Sequence, residues 1–264
     1  MNYGIITELK IINSYNNKKF SELNLFQRKI ILTMFPRVKE EDIILCNKFK
    51  NSISKPDIVF YVGGEVSYVS VKSGSADGMH IEQIRTFILF LRKLGISIKT
   101  QKILLLYHYG DGTLDGSGKK RMLHNEIAYK YKDLIEFAND ELKAPEIVLA
   151  CLIRFVFKGS SKMGKPIDYI FFGDETYGVL CSKNDVTNFV LSRNYSHLST
   201  MHVGPLTIQP YLRDINNISK HKYKRDMVQI KWRYLLTDLQ KANSMKQIIY
   251  EKMKDSPYYD IYKE

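Results

Sequence analysis

The segment from Lys55 to Glu82, KPDIVFYVGGEVSYVSVKSGSADGMHIE, constrains this chain more than any other. Ile58, Phe60 and Val62 alternate with Val59 and Tyr61, a β-branched and aromatic run that predicts a strand covered at least partly on both faces. Gly63-Gly64 predicts a tight reversal, since glycine tolerates positive φ. On the returning strand Val66, Tyr68, Ser70 and Lys72 share one face, and Ser67, Val69 and Val71 the other. Ser73 to Gly78 is a small-residue loop. The period then changes. Ile81, Ile84, Ile88 and Leu91 fall at helical spacing, reinforced by Phe87 and Leu94, and Gly95 closes the expected helix.

This pattern brings chemistry together. Asp57 opens the first strand, Lys72 ends the second, and a two-residue turn folds those ends alongside each other. A carboxylate there can bind Mg²⁺, a hard cation that prefers oxygen and keeps several waters. The lysine can hold a scissile phosphate, orient the attacking water and stabilise developing charge. Glu82, in the first turns of the expected helix, is the candidate second carboxylate, with Gln83 equally placed to face the site. Each residue also has a purely structural account. Asp after Pro opens turns, a lysine at a strand end is usually solvated, and the helix dipole favours a glutamate in a first turn. Glu65 falls in the turn and is expected to be exposed. His80 reads as a helix-start or DNA-facing residue.

Pro56-Asp57, a hairpin, and then x-x-Lys resembles the PD-(D/E)XK phosphodiesterases, the restriction-endonuclease-like nucleases. Twelve residues separate Asp57 from Ser70, which stands where that superfamily's second acid falls. Some type II restriction endonucleases share this departure: they carry Ser-x-Lys, and a glutamate on the next helix supplies the missing carboxylate. Ser70-Val71-Lys72, nine residues, and then Glu82 is similar to that variant. The resemblance covers roughly residues 40 to 110. It implies Asp57 and Glu82 as Mg²⁺ ligands, Lys72 as the phosphate and water residue, Ser70 at the vacated acid position, double-stranded DNA as substrate, and a homodimer.

The charge balance agrees. Forty Lys and Arg against 28 Asp and Glu give a formal net charge of +12, which attracts polyanions. The longest apolar run, Ile147 to Phe157, is interrupted by Arg154 and is too short to span a bilayer, so no membrane partner is expected. The N-terminus MNYGIITELK contains an acid and no long apolar region, so no signal peptide is expected. Cys46, Cys151 and Cys181 lie far apart, which argues against a zinc ribbon or a disulfide framework and fits a reducing cytoplasm. No G-x-S-x-G, H-E-x-x-H or dinucleotide-binding glycine pattern occurs.

Around the motif, Ser21 is expected to cap a helix through Phe35, Ile43 to Phe49 to form a strand, and Lys102 to Tyr109 a buried strand. Helix, three strands, helix, strand is the core order of the resembled superfamily. The expected fold class is therefore α/β (α+β): a restriction-endonuclease-like core with a mixed central sheet flanked by helices, plus a β-rich C-terminal half. Residues 1–158 would hold the catalytic core with a helical extension, and 159–264 the recognition half. The loop GDGTLDGSGKKR, residues 110 to 121, reads either as solvated or as a DNA-contacting loop bearing Lys119 and Lys120. Helices are expected over about 123–142 and 145–157, a hairpin at 167–181, a short helix at 185–191 and a strand at 206–213 that Pro210 would confine to an edge or bulge. Near the C-terminus Val228, Ile230, Trp232 and Tyr234 point one way, and Gln229, Lys231 and Arg233 the other. That second face is either a wet basic surface or a strand presenting Gln, Lys and Arg to a duplex.

The functional expectation is a Mg²⁺-dependent, site-specific DNA endonuclease. Two others stand beside it: a defence or repair nuclease with little sequence preference, and an inactive nuclease fold that only binds nucleic acid.

Overall fold

The computed structural model describes residues 3–51, 53–74, 77–118, 120–195, 200–211 and 224–254, with side chains as far as residue 245. In chain order the elements are α1 (Tyr3–Tyr15), β1 (Lys18–Lys19), α2 (Leu25–Met34), β2 (Ile43–Lys48), β3 (Ile58–Val62), β4 (Glu65–Lys72), β5 (Gly78–Gln83), α3 (Ile84–Lys93), α4 (Ile98–Tyr109), α5 (His124–Lys130), α6 (Lys132–Leu142) and α7 (Pro145–Leu152). There follow β6 (Tyr169–Gly173), β7 (Gly178–Ser182), α8 (Lys183–Leu191), β8 (His202–Val203), β9 (Leu206–Pro210), β10 (Met227–Lys231) and α9 (Leu235–Lys254). A π-helical turn, Ile153–Phe157, continues from α7. The fold is mixed α/β, with a mixed sheet as expected. Among the described residues no helix is long and apolar enough to cross a membrane.

Two compact units divide the chain. The first draws on Met1–Ala76, Phe157–Phe189 and Leu235–Glu264, the second on Asp77–Val156 and Val190–Tyr234. The first unit thus takes residues from both sides of the break expected after 158.

In the first unit the described strands run in the order β1-β2-β3-β4-β6-β7, antiparallel throughout except for the parallel pair β4/β6. The β3–β4 turn is Gly63-Gly64, with φ of 56° and 85°, left-handed values suited to glycine and to the twist of a two-residue hairpin. Glu65 is exposed there, as expected. One face of the sheet buries Ile44, Cys46, Ile58, Phe60, Val69 and Val71 with Ile11, Tyr15, Ile31 and Met34 of the two leading helices. Tyr15 meets Phe60 edge-on at 5.3 Å between ring centres. The cap of α2 is Asn24 rather than Ser21: Asn24 Oδ1 accepts from Gln27 N at 2.9 Å, and Gln27 Oε1 accepts from Asn24 N at 3.1 Å.

The second unit holds an antiparallel sheet in the order β5-β10-β9-β8. The buried strand expected over Lys102–Tyr109 is helix α4. Ser97 Oγ caps it by accepting from Thr100 N at 3.2 Å, and Gly110 ends it at φ 61°. A short apolar run fits a buried strand or a buried helix equally, and the inward set Thr100, Ile103, Leu104 and Tyr107 has helical spacing. β9 lies between β10 and β8, but the two-residue β8 pairs only with Leu206 and Thr207; Pro210, at the strand's last position, pairs with Val228 of β10 alone among the described residues, a local edge as expected. The part of the expected strand past Tyr211 lies outside the described residues, as does Lys119. The C-terminal half carries the expected short helix, as α8, and in addition the 20-residue α9, which was not expected.

Candidate active site and nucleic-acid face

Asp57 stands one residue ahead of β3 and extends its ladder: its N–H donates to Val69 O at 2.9 Å, and its carbonyl accepts from Phe49 N at 2.9 Å. Ile58 pairs with Val69, so the antiparallel register sets Asp57 beside Ser70. Asp57 Oδ2 accepts from Ser70 Oγ at 2.9 Å and from Val71 N at 2.7 Å. Strand alternation places Lys72 on the same side of β4 as Ser70. That side faces away from the core, because Ile58, Val69 and Val71 fill the other. Ser70 is buried, while Asp57 and Lys72 are half-buried. Among the described residues, Asp57 Oδ1 accepts no hydrogen bond and Lys72 makes no ion pair. The hairpin thus leaves one aligned carboxylate oxygen and one ammonium on a single sheet face.

The described residues contain no group of three or more His, Cys, Asp or Glu able to hold a metal. A Mg²⁺ ion is commonly bound by one or two carboxylates, with waters and substrate phosphates completing its shell. Asp57 Oδ1 is the donor that fits.

Glu82 differs from expectation in two respects. It lies in β5, not in a helix, because residues 78–83 pair with β10: Glu82 opposes Val228 and His80 opposes Ile230. It also belongs to the second unit, whereas Asp57, Ser70 and Lys72 belong to the first. Its carboxylate is engaged. Arg154 donates from Nε to Oε1 at 3.2 Å and from Nη2 to Oε2 at 2.5 Å, and His80 Nε2 stands 3.5 Å from Oε2. The Glu82 and Arg154 side chains are 8% and 16% exposed, so the pair is largely desolvated. Burial works to raise the Glu82 carboxyl, but His80 and the Arg154 guanidinium outweigh it and hold the acid below its ordinary range. Arg154 also lies 4.6 Å from the centre of the Phe90 ring. His80 packs against Phe155 at 5.3 Å on this same covered face, so it is not the outward-facing residue expected. Gln83 points to the open face. The sequence did hold a signal for Arg154: a lone charge within an apolar run demands a partner.

The alternation expected in β10 holds. Val228, Ile230 and Trp232 are buried at 0%, 0% and 1%, while Gln229 and Lys231 are half-buried and Arg233 is exposed. The strand ends at Lys231, and Tyr234 is exposed rather than inward. On the open face Gln229 opposes Gln209 of β9 on one side and Ile81 of β5 on the other, and Lys231 opposes Thr207. Gln209 was not among the expected residues; the signal was its alternation with Ile208 and Pro210. Lys231 Nζ lies 3.1 Å from Asp77 Oδ1. Lys120, in the glycine-rich loop, is exposed.

No family model matches the chain, and no curated protein matches it either.

Proposed function

We propose that this chain is a Mg²⁺-dependent endonuclease of double-stranded DNA, as its resemblance to the PD-(D/E)XK nucleases implies. The observation that carries the reading is the shared sheet face of Asp57, Ser70 and Lys72, with Oδ2 of the acid fixed by Ser70 and Val71. Bound Mg²⁺ would neutralise charge on the scissile phosphate and acidify a water. Asp57 would hold the ion through Oδ1. Lys72, an ammonium without a described counter-ion, would grip a phosphate oxygen and stabilise its developing charge. Ser70 would keep the acid oriented. Glu82 takes a different role from the one its spacing suggested: both its oxygens serve Arg154, so it ties β5 to the π-helical turn.

The face bearing Gln209, Gln229 and Lys231 supports duplex recognition, because glutamine presents a donor and an acceptor to a base edge and lysine holds phosphate. A homodimer would offer one centre to each strand. A reducing cytoplasm suits Cys46, Cys151 and Cys181, all buried and none in a disulfide. A nucleic-acid binder without cleavage is the second reading, and the engagement of Glu82 with Arg154 is what favours it.

Plasmid cleavage in Mg²⁺ tests the proposal. Asp57→Ala and Lys72→Ala should each lower cleavage by about a hundredfold or more while leaving DNA binding largely intact. Discrete bands would mark sequence specificity and a smear its absence. Near-normal cleavage by a folded Asp57→Ala protein would overturn the site, and no cleavage by the wild type would leave only binding.

A further inference from the structure

We propose that a cavity of about 410 Å³ over β9 and β10 binds a single nucleotide unit. Thr207, Gln209 and Lys231 of the open sheet face line it, together with Asp77, Tyr107 and Arg233. This volume lies within the range of small-molecule sites and gives more room than one inorganic anion requires. An apolar ligand does not suit it, since its lining carries a hydroxyl, an amide and charged groups.

The charges are set for a phosphate. Asp77 holds Lys231 Nζ at 3.1 Å to Oδ1 and 3.2 Å to Oδ2, which fixes the ammonium and balances it. Trp232 N donates to Asp77 O at 2.7 Å and anchors the acid's backbone. Arg233 makes no ion pair among the described residues, so it brings the uncompensated positive charge. Its planar fork matches two oxygens of one phosphate. Gln209 lines the cavity, and a glutamine amide carries a donor and an acceptor side by side, the complement of a base edge. A base reader and a phosphate fork lining one cavity are the recognition set of a nucleotide. The nucleotide can come from two sources: a unit extruded from a duplex, as enzymes that act on single bases use, or a free mononucleotide.

The inference does not depend on the cleavage reading, because all six of these residues belong to the second unit and Asp57 to the first. Calorimetric titration of the full chain without divalent metal, using dAMP, dCMP, dGMP and dTMP in turn, tests it. At least one should bind saturably, and Gln209→Ala and Arg233→Ala should each weaken that binding about tenfold. A duplex containing 2-aminopurine separates the sources. A fluorescence rise on binding, lost in Gln209→Ala, assigns the cavity to an extruded base; mononucleotide binding without the rise assigns it to free nucleotide. Four mononucleotides that fail to saturate together with a silent duplex overturn the proposal, as does binding that both variants leave unchanged. Neither measurement reads strand cleavage, so an inactive endonuclease centre would not imitate either result.

Discussion

Ser70 donates its hydroxyl proton to Asp57 Oδ2 at 2.9 Å, so the residue standing at the vacated acid position orients the acid that remains. Val71 N supplies the second donor to the same oxygen at 2.7 Å. Two donors on Oδ2 fix the carboxylate plane and direct Oδ1 outward. Hydrogen bonds to charged groups contribute about 1.5–3 kcal/mol each. Ser70→Ala removes one of them and leaves the other.

The expected result for Ser70→Ala is a fall in Mg²⁺-dependent cleavage of roughly ten- to a hundredfold, smaller than the loss in Asp57→Ala. DNA affinity should stay within about twofold, because the hydroxyl serves the acid rather than the ligand. The Mg²⁺ concentration giving half-maximal cleavage should rise, as a less ordered carboxylate binds the ion less well. Unchanged cleavage and unchanged metal dependence in Ser70→Ala would remove Ser70 from the site.

Glu82 and Arg154 form a largely buried pair, and breaking such a pair from one side leaves an uncompensated charge. Glu82→Ala should therefore destabilise the protein by about 3–5 kcal/mol, and Arg154→Ala similarly. The double substitution Glu82→Gln with Arg154→Met should recover much of that loss, since no charge is then stranded. Denaturant unfolding of the three proteins measures this. A Glu82→Ala protein of wild-type stability that had nevertheless lost cleavage would return Glu82 to the metal site.

The hairpin was legible because two signals agreed: β-branched residues alternating on each side, and a Gly-Gly pair able to take positive φ. The Asp57–Ser70 neighbourhood followed from the same spacing, since a two-residue turn fixes the register. Glu82 was misread for a physical reason. Ile81, Ile84 and Ile88 satisfy helical spacing, yet Ile81 is 42% exposed on β5 and Ile84 is fully buried at the start of α3. What makes residues 78–83 a strand is β10, far along the chain, and no local window contains that pairing. α4 was hidden differently, by an apolar run that fits either element. α9 was hidden because its polar residues outnumber its apolar ones and leave little periodic signal.

Duplex binding should depend steeply on salt. The chain carries a net charge of +12, and a protein making six or more phosphate contacts loses about a thousandfold in affinity between roughly 50 and 200 mM salt. Arg233→Ala should reduce the slope of log K against log salt by about one. Lys231→Ala should act differently, because it also leaves Asp77 without its partner and turns that position repulsive to phosphate. Fluorescence anisotropy across a salt series measures both. A flat response, or an unchanged double variant, would strip β10 of its recognition role.

His108 on α4 makes stability depend on mild acid. Burial is the main cause that lowers its pKa, to about 4 from an ordinary 6.5, and the charge of Arg121 pushes the same way against the Arg225 carbonyl that Nε2 meets at 3.0 Å. Among the described residues Nδ1 is buried with no partner, so a second ring proton would find no acceptor among them. In the unfolded chain the ring takes up its proton near pH 6.5; in the folded chain it resists until about pH 4. Between those values the unfolded state binds more protons, so the stabilisation is complete above the upper value and is lost as pH falls through the window. The depression corresponds to a loss on the order of 3 kcal/mol. His108→Gln keeps a donor for the Arg225 carbonyl and removes the titration. Its stability should therefore change less than that of the wild type between pH 7 and pH 4, measured by urea unfolding at each pH. Parallel pH profiles for the two proteins would show that acid sensitivity arises elsewhere.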